Sequence, residues 1–451
     1  MSQRALLTVQ IHHGGSWHDA ATLAVDDIQG GIRSPTTVDY EAGYFVEHGS
    51  VAFAEDRPVI DWRAISVNYP IDLNGRRTEH WAPFLLDLLP QGHARRRLAE
   101  ILRHNPDDET IVYDLLLRGA GCPVGNMRIK EAWEDERERL KGKTVKGVTT
   151  QDVFDRSRTF RSVAERFALV ASGSSGVQGE WPKILMTQAA DELWYPDPVV
   201  ADENARQHVI VKLTRGKWTE DRLILEAEAP YIEVARAFGL RVGAPLTHRD
   251  DTLVIPRFDR RAADGRTVRL GQESLVSALG VAEYGHNESH EAYIAVLHRC
   301  CTDPKTEIIE YVLRDALNRA MGDTDNHGRN TALQKGADGT IRLTPRFDFA
   351  PMLMDPSGII PHSRWRCLRN AGLDYRADLI CDAVGEVTGE QAIADAVADA
   401  LTDRADMMAD LQDVAMRHRV PRQVIERAFS GANEVAEGLR AFRDRRRRAA
   451  P

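Results

Sequence analysis

The amino-acid sequence predicts an α+β fold, with strands concentrated before about residue 262 and helices after it. Residues 209–213 and 253–255 are short β-branched or aliphatic runs that lead into polar turns, which is typical of strands. Residues 304–321 place apolar side chains on one helix face, and Pro304 suits the first turn of that helix. These patterns predict a mixed N-terminal part that contains β-sheet and a mostly helical C-terminal part.

The composition indicates a soluble globular protein. The 451 residues are enough for two or three domains, and 43% of them are apolar and 28% charged. We find no membrane-spanning run and no secretory signal, and the five scattered cysteines fit no metal or redox motif. We therefore expect a cytoplasmic protein with reduced thiols. The formal net charge of −9 argues against nucleic-acid binding over the whole surface.

Four segments are expected along the chain. Residues 1–130 form an N-terminal subdomain of short strands and helices, and residues 131–164 are so highly charged that we interpret them as a solvated connector. Residues 165–262 are strand-rich around one helix. Residues 263–451 are mostly helical and end in a basic tail, whose charges are more typical of a solvated surface than of a nucleic-acid site.

The residues with the clearest chemical meaning follow the helix predicted at 304–321. That helix stops at Gly322, and Asp325 and Asn330 come next, five positions apart. A hairpin is predicted after them from two strand-like pieces and a turn rich in glycine and aspartate, and Asp348 follows the hairpin. Phosphoryl transfer uses one carboxylate to orient the attacking hydroxyl, and an amide oxygen and a second carboxylate to hold Mg²⁺ on the ATP phosphates. Protein kinases have the same D-x-x-x-x-N spacing, so the pattern predicts an ATP-dependent kinase with a two-lobed, protein-kinase-like fold.

Other interpretations of this loop are weaker. Each residue alone would be more typical of a polar loop whose side chains cap turns. Asp323, Asp325 and Gly328 also fall on EF-hand positions, but Gln334 stands where the bidentate glutamate belongs. A lone histidine is usually structural, so His327 is expected to scaffold the loop.

A glycine- and serine-rich run that leads to Lys183, residues 172–183, is a second candidate for phosphate binding, although a run of this kind is more often an ordinary loop. Small residues let backbone N–H groups approach phosphates. The run matches neither the P-loop motif nor the G-x-S-x-G motif, which disfavours a P-loop NTPase and an α/β-hydrolase.

Lys212 ends a predicted strand and could neutralise phosphates, as the β3 lysine of kinases does. Its partner would be Glu226 or Glu228 on the following helix, but Pro230 suggests that this helix begins near residue 230. Residues 253–261 are expected where the lobes join, so the backbone there could meet the adenine edge.

Taken together, these motifs resemble the HipA family of bacterial Ser/Thr kinases, the toxin halves of toxin–antitoxin pairs. Residues 324–330 match the family's T-D-x-H-x-x-N loop, and Phe347-Asp348 is similar to its magnesium-binding motif. Residues 176–183 resemble its G-x-Q…P-K loop with a longer spacer, and Arg257–Arg260 resembles its R-F-D-R hinge. The likeness covers roughly residues 80–350 and implies a kinase fold with an appended N-terminal subdomain.

The resemblance implies a role for each matching residue. Asp325 would be the catalytic base, Asn330 and Asp348 the Mg²⁺ ligands, and Lys212 a phosphate contact. The other residues placed at the ATP are Ser174, Ser175, Gly176, Val177, Gln178, Pro256, Arg257, Phe258 and His327. Ser174 and Ser175 are the candidates for an autophosphorylation that switches the kinase off.

The resemblance also implies partners. Family targets include aminoacyl-tRNA synthetases, and the usual partner is a small helix-turn-helix antitoxin, HipB-like, through which most DNA contact is made. Two alternatives stay open at this point, a nucleotide-binding corepressor with little catalysis and a small-molecule kinase.

Overall fold

The computed structural model describes residues 3–49, 60–167, 181–263, 265–369 and 374–449. The strands in these ranges are β1 (Ala5–His13), β2 (Ser16–Val25), β3 (Thr36–Tyr40), β4 (Arg76–Thr78), β5 (Met127–Ile129), β6 (Lys183–Ala189), β7 (Trp194–Pro196), β8 (Ala205–Leu213), β9 (Thr247–Arg249), β10 (Thr252–Pro256), β11 (Arg260–Ala263), β12 (Arg266–Arg269), β13 (Gly271–Ser274), β14 (Ala332–Lys335) and β15 (Ile341–Leu343). The helices are α1 (Ala42–His48), α2 (Gly92–Leu102), α3 (Val112–Gly119), α4 (Lys130–Leu140), α5 (Thr150–Phe154), α6 (Arg158–Phe167), α7 (Thr219–Ala237), α8 (Leu275–Leu279), α9 (His290–Cys300), α10 (Pro304–Met321), α11 (Ala377–Thr388), α12 (Gln391–Asp403), α13 (Ala405–Ala409), α14 (Leu411–Arg417), α15 (Arg422–Ala428) and α16 (Ala432–Ala449). None of these helices, over the residues just named, has the length and apolar character that a membrane crossing demands.

The predicted α+β class is confirmed, and the chain forms two compact units. Unit 1 consists of Met1–Leu213, Val254–His286 and Ala332–Ile341, and unit 2 consists of Thr214–Leu253, Asn287–Thr331 and Arg342–Pro451. This division differs from the four consecutive segments that the sequence predicts. The composition of consecutive segments cannot show that residues 254–286 and 332–341 pack with the N-terminal residues in unit 1.

Unit 1 contains the antiparallel sheet β4-β3-β2-β1-β5. Alternate residues of β1 point to one face of the sheet, and Leu7, Val9 and Ile11 on that face are buried. Leu6, on the opposite face, is exposed. They join a large apolar cluster that also contains Trp81 and Leu85. The hydrophobic effect of this shared core holds the N-terminal sheet and the helices that follow it together.

A second core of unit 1 corrects the prediction for residues 131–164. These residues form α4, α5 and α6 instead of a solvated connector. Val153 and Phe160 are buried in one cluster with Ile184 of β6 and Val211 of β8. The prediction was wrong because the many charges hide apolar residues at helical spacing, which is enough to bury one face.

A buried ion cluster includes residues that connect β10 to β11. The guanidinium of Arg257 contacts the carboxylates of Asp197 and Asp259, at 2.5 Å each, and Arg260 contacts the same two carboxylates at 3.1 and 3.3 Å. The backbone N–H of Gly125 donates to Asp259 at 2.8 Å. Burial acts to raise the pKa of Asp259, but the two arginines outweigh it and hold this pKa well below its usual value.

Unit 2 is mostly helical, and α10 forms as predicted. Asp303 caps its first turn, Pro304 follows the cap, and Gly322 ends the helix with a left-handed φ of 68°. The prediction for α7 needs correction, because that helix begins at Thr219 and passes through Pro230. Its start is fixed by Asp221, whose carboxylate accepts backbone N–H groups of the preceding turn, and its buried face stabilises the helix despite the proline.

The ion cluster of unit 1 gives a test of stability. Asp259→Asn leaves the two buried guanidinium groups with one carboxylate, so we expect the free energy of unfolding to fall by about 3–5 kcal/mol. As a control, Glu426→Gln removes one partner of an exposed i,i+4 ion pair on α15, and we expect a change of about 0.5 kcal/mol or less. Urea denaturation followed by circular dichroism measures both, and equal midpoints for the two variants would contradict the structural role of the cluster.

Candidate active site

The start of the candidate loop is fixed from several sides in unit 2. A Cβ at Gly322 would lie 2.4 Å from the carbonyl oxygen of Ala428, so a larger residue does not fit there. The carbonyl of Gly322 accepts the N–H of Leu353 at 2.9 Å, and the hydroxyl of Tyr231 donates to the carbonyl of Met321 at 2.9 Å. The loop therefore begins at a defined point beneath α7.

Asp323 and Arg346 form a buried ion pair beneath the loop. The Arg346 guanidinium contacts Asp323 at 2.5 Å and also donates to the side-chain oxygen of Asn318 at 2.8 Å. Burial raises the pKa of Asp323 to about 7, Arg346 opposes this shift, and the charges of Asp325 and Asp348 add to it. The negative charges of Asp325 and Asp348 therefore act on Asp323 and make its ionised form less favourable.

The side-chain amide of Asn330 has a hydrogen-bond partner at its nitrogen but none at its oxygen among the described residues. Its Nδ2 donates to the carbonyl of Asp325 at 2.8 Å, and its backbone N–H donates to the carbonyl of His327 at 2.9 Å. Its Oδ1 has no hydrogen-bond partner among the described residues, although the residue is only 2% exposed. A buried acceptor left unsatisfied costs about 1–3 kcal/mol, so its position fits an oxygen that ligates a cation.

His327 orients the loop from within. Its Nδ1 accepts the N–H of Arg329 at 3.2 Å, and its Nε2 lies 3.3 Å from Oδ1 of Asp325. Burial lowers the pKa of His327, and its Nε2 makes no hydrogen bond to the described residues. Gly328 allows the tight turn, because a Cβ there would lie 2.3 Å from the hydroxyl of Tyr293.

Asp348 sits in a left-handed backbone conformation, with a φ of 52°. Such a conformation costs a non-glycine residue about 1–3 kcal/mol and persists only where the surroundings impose it. The chain before it is held by the N–H of Arg346, which donates to the carbonyl of Arg241 at 2.7 Å. After it, Phe349 is buried against Tyr231, with ring centroids 5.1 Å apart.

The structure brings Asp325, Asn330 and Asp348 to the same loop system of unit 2. The charges of Asp325 and Asp348 both act on Asp323 and on His327, so both carboxylates lie close to the loop. Over the described ranges, no group of three or more His, Cys, Asp and Glu side chains could hold a metal by itself. Magnesium usually takes one or two carboxylates together with phosphate oxygens and water, so an amide oxygen and one carboxylate fit it when a nucleotide is present.

The predicted phosphate lysine lies in unit 1. Lys212 is buried on β8, opposite Lys183 of β6, and its ammonium lies 5.4 Å from the ring centroid of Trp181. Of the two glutamates left open, Glu226 is exposed and Glu228 is buried, and the pairing of either with Lys212 stays a prediction.

The other residues predicted at the nucleotide are only partly described. Arg257 has its side chain committed to the buried ion cluster, and its N–H donates to the carbonyl of His208 at 2.9 Å. Pro256 ends β10, and the carbonyl of Phe258 accepts from Gln334 at 3.4 Å. Ligand contact by this stretch stays a prediction. The following predicted residues lie outside the described ranges: Ser174, Ser175, Gly176, Val177 and Gln178.

Residues 175–411, more than half of the chain, match the model of the HipA-like C-terminal domain family. The chain belongs to the HipA-like C-terminal domain family. The resemblance seen in the catalytic-loop motif is thereby confirmed.

Solved structures show that the HipA-type fold extends over nearly all of the chain. A chain of the Shewanella oneidensis MR-1 complex of HipA, HipB and operator DNA matches with a TM-score of 0.62 and 16% identity, over 97% of this chain and 99% of that one. The Helicobacter pylori proinflammatory kinase CtkA matches with a TM-score of 0.36 and 10% identity, over 54% of this chain and 89% of that one, which is too low to inform the fold.

One curated relative matches over a shorter stretch. Y4mE of Sinorhizobium fredii (strain NBRC 101917 / NGR234), described by name as a candidate kinase, is 30% identical over 142 residues. The match covers 29% of this HipA-family chain and 33% of Y4mE, so the chain spans about a third of that relative.

Two site residues of this HipA-family chain were not predicted from the sequence. Arg346 pairs with Asp323 and precedes Asp348 by two positions, so the Arg-Phe-Asp triplet was the available signal. Asn326 follows Asp325 directly, and its side chain holds a distant segment by hydrogen bonds. No spacing rule reports a contact between residues so far apart in sequence.

Two helix-ending glycines of unit 2 give a matched test of the loop's start. Gly322 and Gly389 share a φ of 68°, but a Cβ at Gly389 meets nothing within 4 Å. Gly389→Ala should cost about 1–2 kcal/mol, the strain of a left-handed alanine. Gly322→Ala should cost about 1–3 kcal/mol more, because its Cβ would strike the carbonyl of Ala428. Chemical denaturation of both variants measures the difference, and an equal cost would show that the loop adjusts freely.

Proposed function

We propose that this protein is an ATP- and Mg²⁺-dependent serine/threonine protein kinase. The observation that carries the proposal is the buried Oδ1 of Asn330, which has no hydrogen-bond partner among the described residues and whose amide is oriented by the Asp325 carbonyl. Phosphoryl transfer uses such an amide oxygen together with a carboxylate, the role that we propose for Asp348. Family membership and the HipA-type fold support the same activity.

Each residue has a role in the proposed mechanism. Asp325 accepts the proton of the acceptor hydroxyl, and the His327 ring lies beside that carboxylate, with its Nε2 3.3 Å from Oδ1 of Asp325. Asn330 and Asp348 would hold the Mg²⁺ ion, which would supply positive charge to the ATP phosphates. Lys212 adds a positive charge for the phosphates, and Arg346 keeps the segment bearing Asp348 in place.

The biological role that we propose is a growth-inhibiting toxin. The matched Shewanella structure contains HipA, HipB and operator DNA. By analogy, we expect a small HipB-like helix-turn-helix antitoxin to bind this chain and to make most of the contact with DNA. The net charge of −9 supports this division of labour, because it disfavours DNA binding by the kinase surface as a whole. An aminoacyl-tRNA synthetase is the target class that the family suggests.

Labelling with γ-labelled ATP tests the proposed activity. Wild-type protein with Mg²⁺ should label itself or a protein in a cell lysate. Asp325→Asn should lower the rate about 10²–10⁴-fold, because the general base is lost. Asp348→Asn should also raise the Mg²⁺ concentration needed for half-maximal activity, whereas Asp413→Asn, a control at an exposed site on α14, should change neither value.

Two outcomes would contradict this proposal. Equal labelling by wild type, Asp325→Asn and Asp348→Asn would remove these residues from the mechanism. Stabilisation of wild type by ATP in a thermal-shift assay, without any labelling, would favour the nucleotide-binding corepressor instead.

Phosphate on the glycine- and serine-rich loop tests the proposed off-switch. Mass spectrometry of protein incubated with ATP and Mg²⁺ should find phosphate on Ser174 or Ser175 in wild type and none in Asp325→Asn. The double variant Ser174→Ala/Ser175→Ala should keep its initial rate toward a protein substrate for longer, because the switch is absent. An identical loss of rate over time in both proteins would overturn this regulation.

A further inference from the structure

The residue after the proposed base fastens a distant segment to the catalytic loop. The Nδ2 of Asn326 donates to the carbonyl of Ser363 at 2.9 Å. Its Oδ1 accepts the backbone N–H groups of His362 and Ser363 at 2.9 and 3.0 Å. The nitrogen and the oxygen of the Asn326 side-chain amide thus both bind the backbone of residues 362–363. Residues 362–363 therefore lie against the residue that follows Asp325 in the chain.

The segment is also anchored further along the chain. The indole N–H of Trp365 donates to Asp315 at 2.7 Å, and this ring is buried. The carbonyl of Arg364 accepts the N–H of His290 at 3.3 Å, and the N–H of Cys367 donates to Glu291 at 3.0 Å. The backbone of this stretch is therefore fixed, so that its outward side chains present a preorganised surface.

The outward side chains of residues 359–369 are basic and apolar. Ile360 is 65% exposed, next to Pro361. Arg364, Arg366 and Arg369 are also exposed, and the eleven positions contain no aspartate or glutamate. Among the described residues, Glu288 contacts Arg366 at 2.9 Å, while the carboxylates of Asp315 and Glu291 accept hydrogen bonds from Trp365 and from the backbone of Cys367. The surface keeps an excess of positive charge beside a projecting apolar side chain.

We propose that residues 359–369 form the docking surface for the acceptor polypeptide, and that they take an acidic segment which also carries an apolar residue. This inference rests on the proposed kinase activity. Asn326 is then a positioning residue, since it joins the docking surface to the residue that receives the acceptor's proton. Arginine beside an apolar anchor is the usual composition of a polypeptide-binding surface.

The charge pattern explains why the acceptor needs this surface. The carboxylates near the loop, among them Asp325 and Asp348, repel an acidic polypeptide. Arg364 and Arg366 supply the opposite charge on the adjoining segment, so that an acidic partner is held there and oriented. The projecting Ile360 favours polypeptide over nucleic acid, because a phosphate backbone makes no use of an apolar contact.

Two serine-containing peptides test the docking surface. One carries glutamates and a leucine around the serine, and the other carries lysines and a leucine. Wild type should have a KM at least tenfold lower for the acidic peptide. Arg364→Glu should raise that KM about tenfold or more and reduce the preference, and Ile360→Ser should raise the KM for both peptides. The KM for ATP and the hydrolysis of ATP without peptide should not change in either variant.

Matched controls come from the exposed pair Met416 and Arg417 on α14. Met416→Ser and Arg417→Glu make the same chemical changes on another face of unit 2 and should leave every constant as in wild type. Asn326→Ala should raise the KM for the acidic peptide by a larger factor than the KM for ATP. A merely structural role of Asn326 would change both constants alike.

A binding measurement separates the two proposals. Fluorescence anisotropy of the labelled acidic peptide needs no turnover, and it should show binding that Arg364→Glu weakens. If the wild type binds the peptide in this way but never transfers phosphate, the kinase proposal fails and the docking surface stands. If wild type does not distinguish the peptides, or if Arg364→Glu behaves as Arg417→Glu does, the docking proposal is overturned. A loss of binding to a labelled RNA hairpin in Arg364→Glu, without any change toward peptides, would overturn it in favour of nucleic acid.

Discussion

The buried ion pair between Asp323 and Arg346 is the interaction on which the candidate site depends. One guanidinium contacts the start of the loop through Asn318 and Asp323, and it lies 4.8 Å from the ring of Phe349, the residue after Asp348. The two chain segments that carry the proposed ligands are therefore joined by a single side chain. Removing one partner of such a pair typically costs about 3–5 kcal/mol, because the other charge stays buried. The position of Asp348 relative to the loop thus depends on a residue with no chemical role of its own.

The spacing of apolar residues, the helix caps and the turn residues predicted those elements whose structure depends on neighbours in the sequence. The helix from Pro304 to Met321 and its glycine stop follow from apolar spacing and capping chemistry, and the hairpin of β14 and β15 follows from its glycine- and aspartate-rich turn. Pattern failed where tertiary contacts override propensity. Pro230 lies inside α7 because burial of that helix outweighs the loss of one hydrogen bond, and Phe160 belongs to a core that charge content conceals.

The candidate site shows the same division. Asp325, Asn330 and Asp348 could be predicted because phosphoryl transfer imposes their types and their spacing. The contributions of Arg346 and Asn326 could not, since their partners Asn318 and Ser363 lie 28 and 37 positions away. Contacts at such separations follow from the fold and not from any local motif. The orientation of the Asn330 amide, set by the carbonyl of Asp325, is equally invisible in the sequence.

The left-handed backbone conformation at Asp348 restricts the residue types that this position tolerates. Aspartate and asparagine tolerate this conformation better than other side chains, and glycine adopts it without strain. A descendant freed from catalysis would therefore gain stability by drifting to glycine, whereas a β-branched residue would be selected against whatever the protein does. Glycine at this one position would accordingly mark a pseudokinase more reliably than a change in the neighbouring phenylalanines.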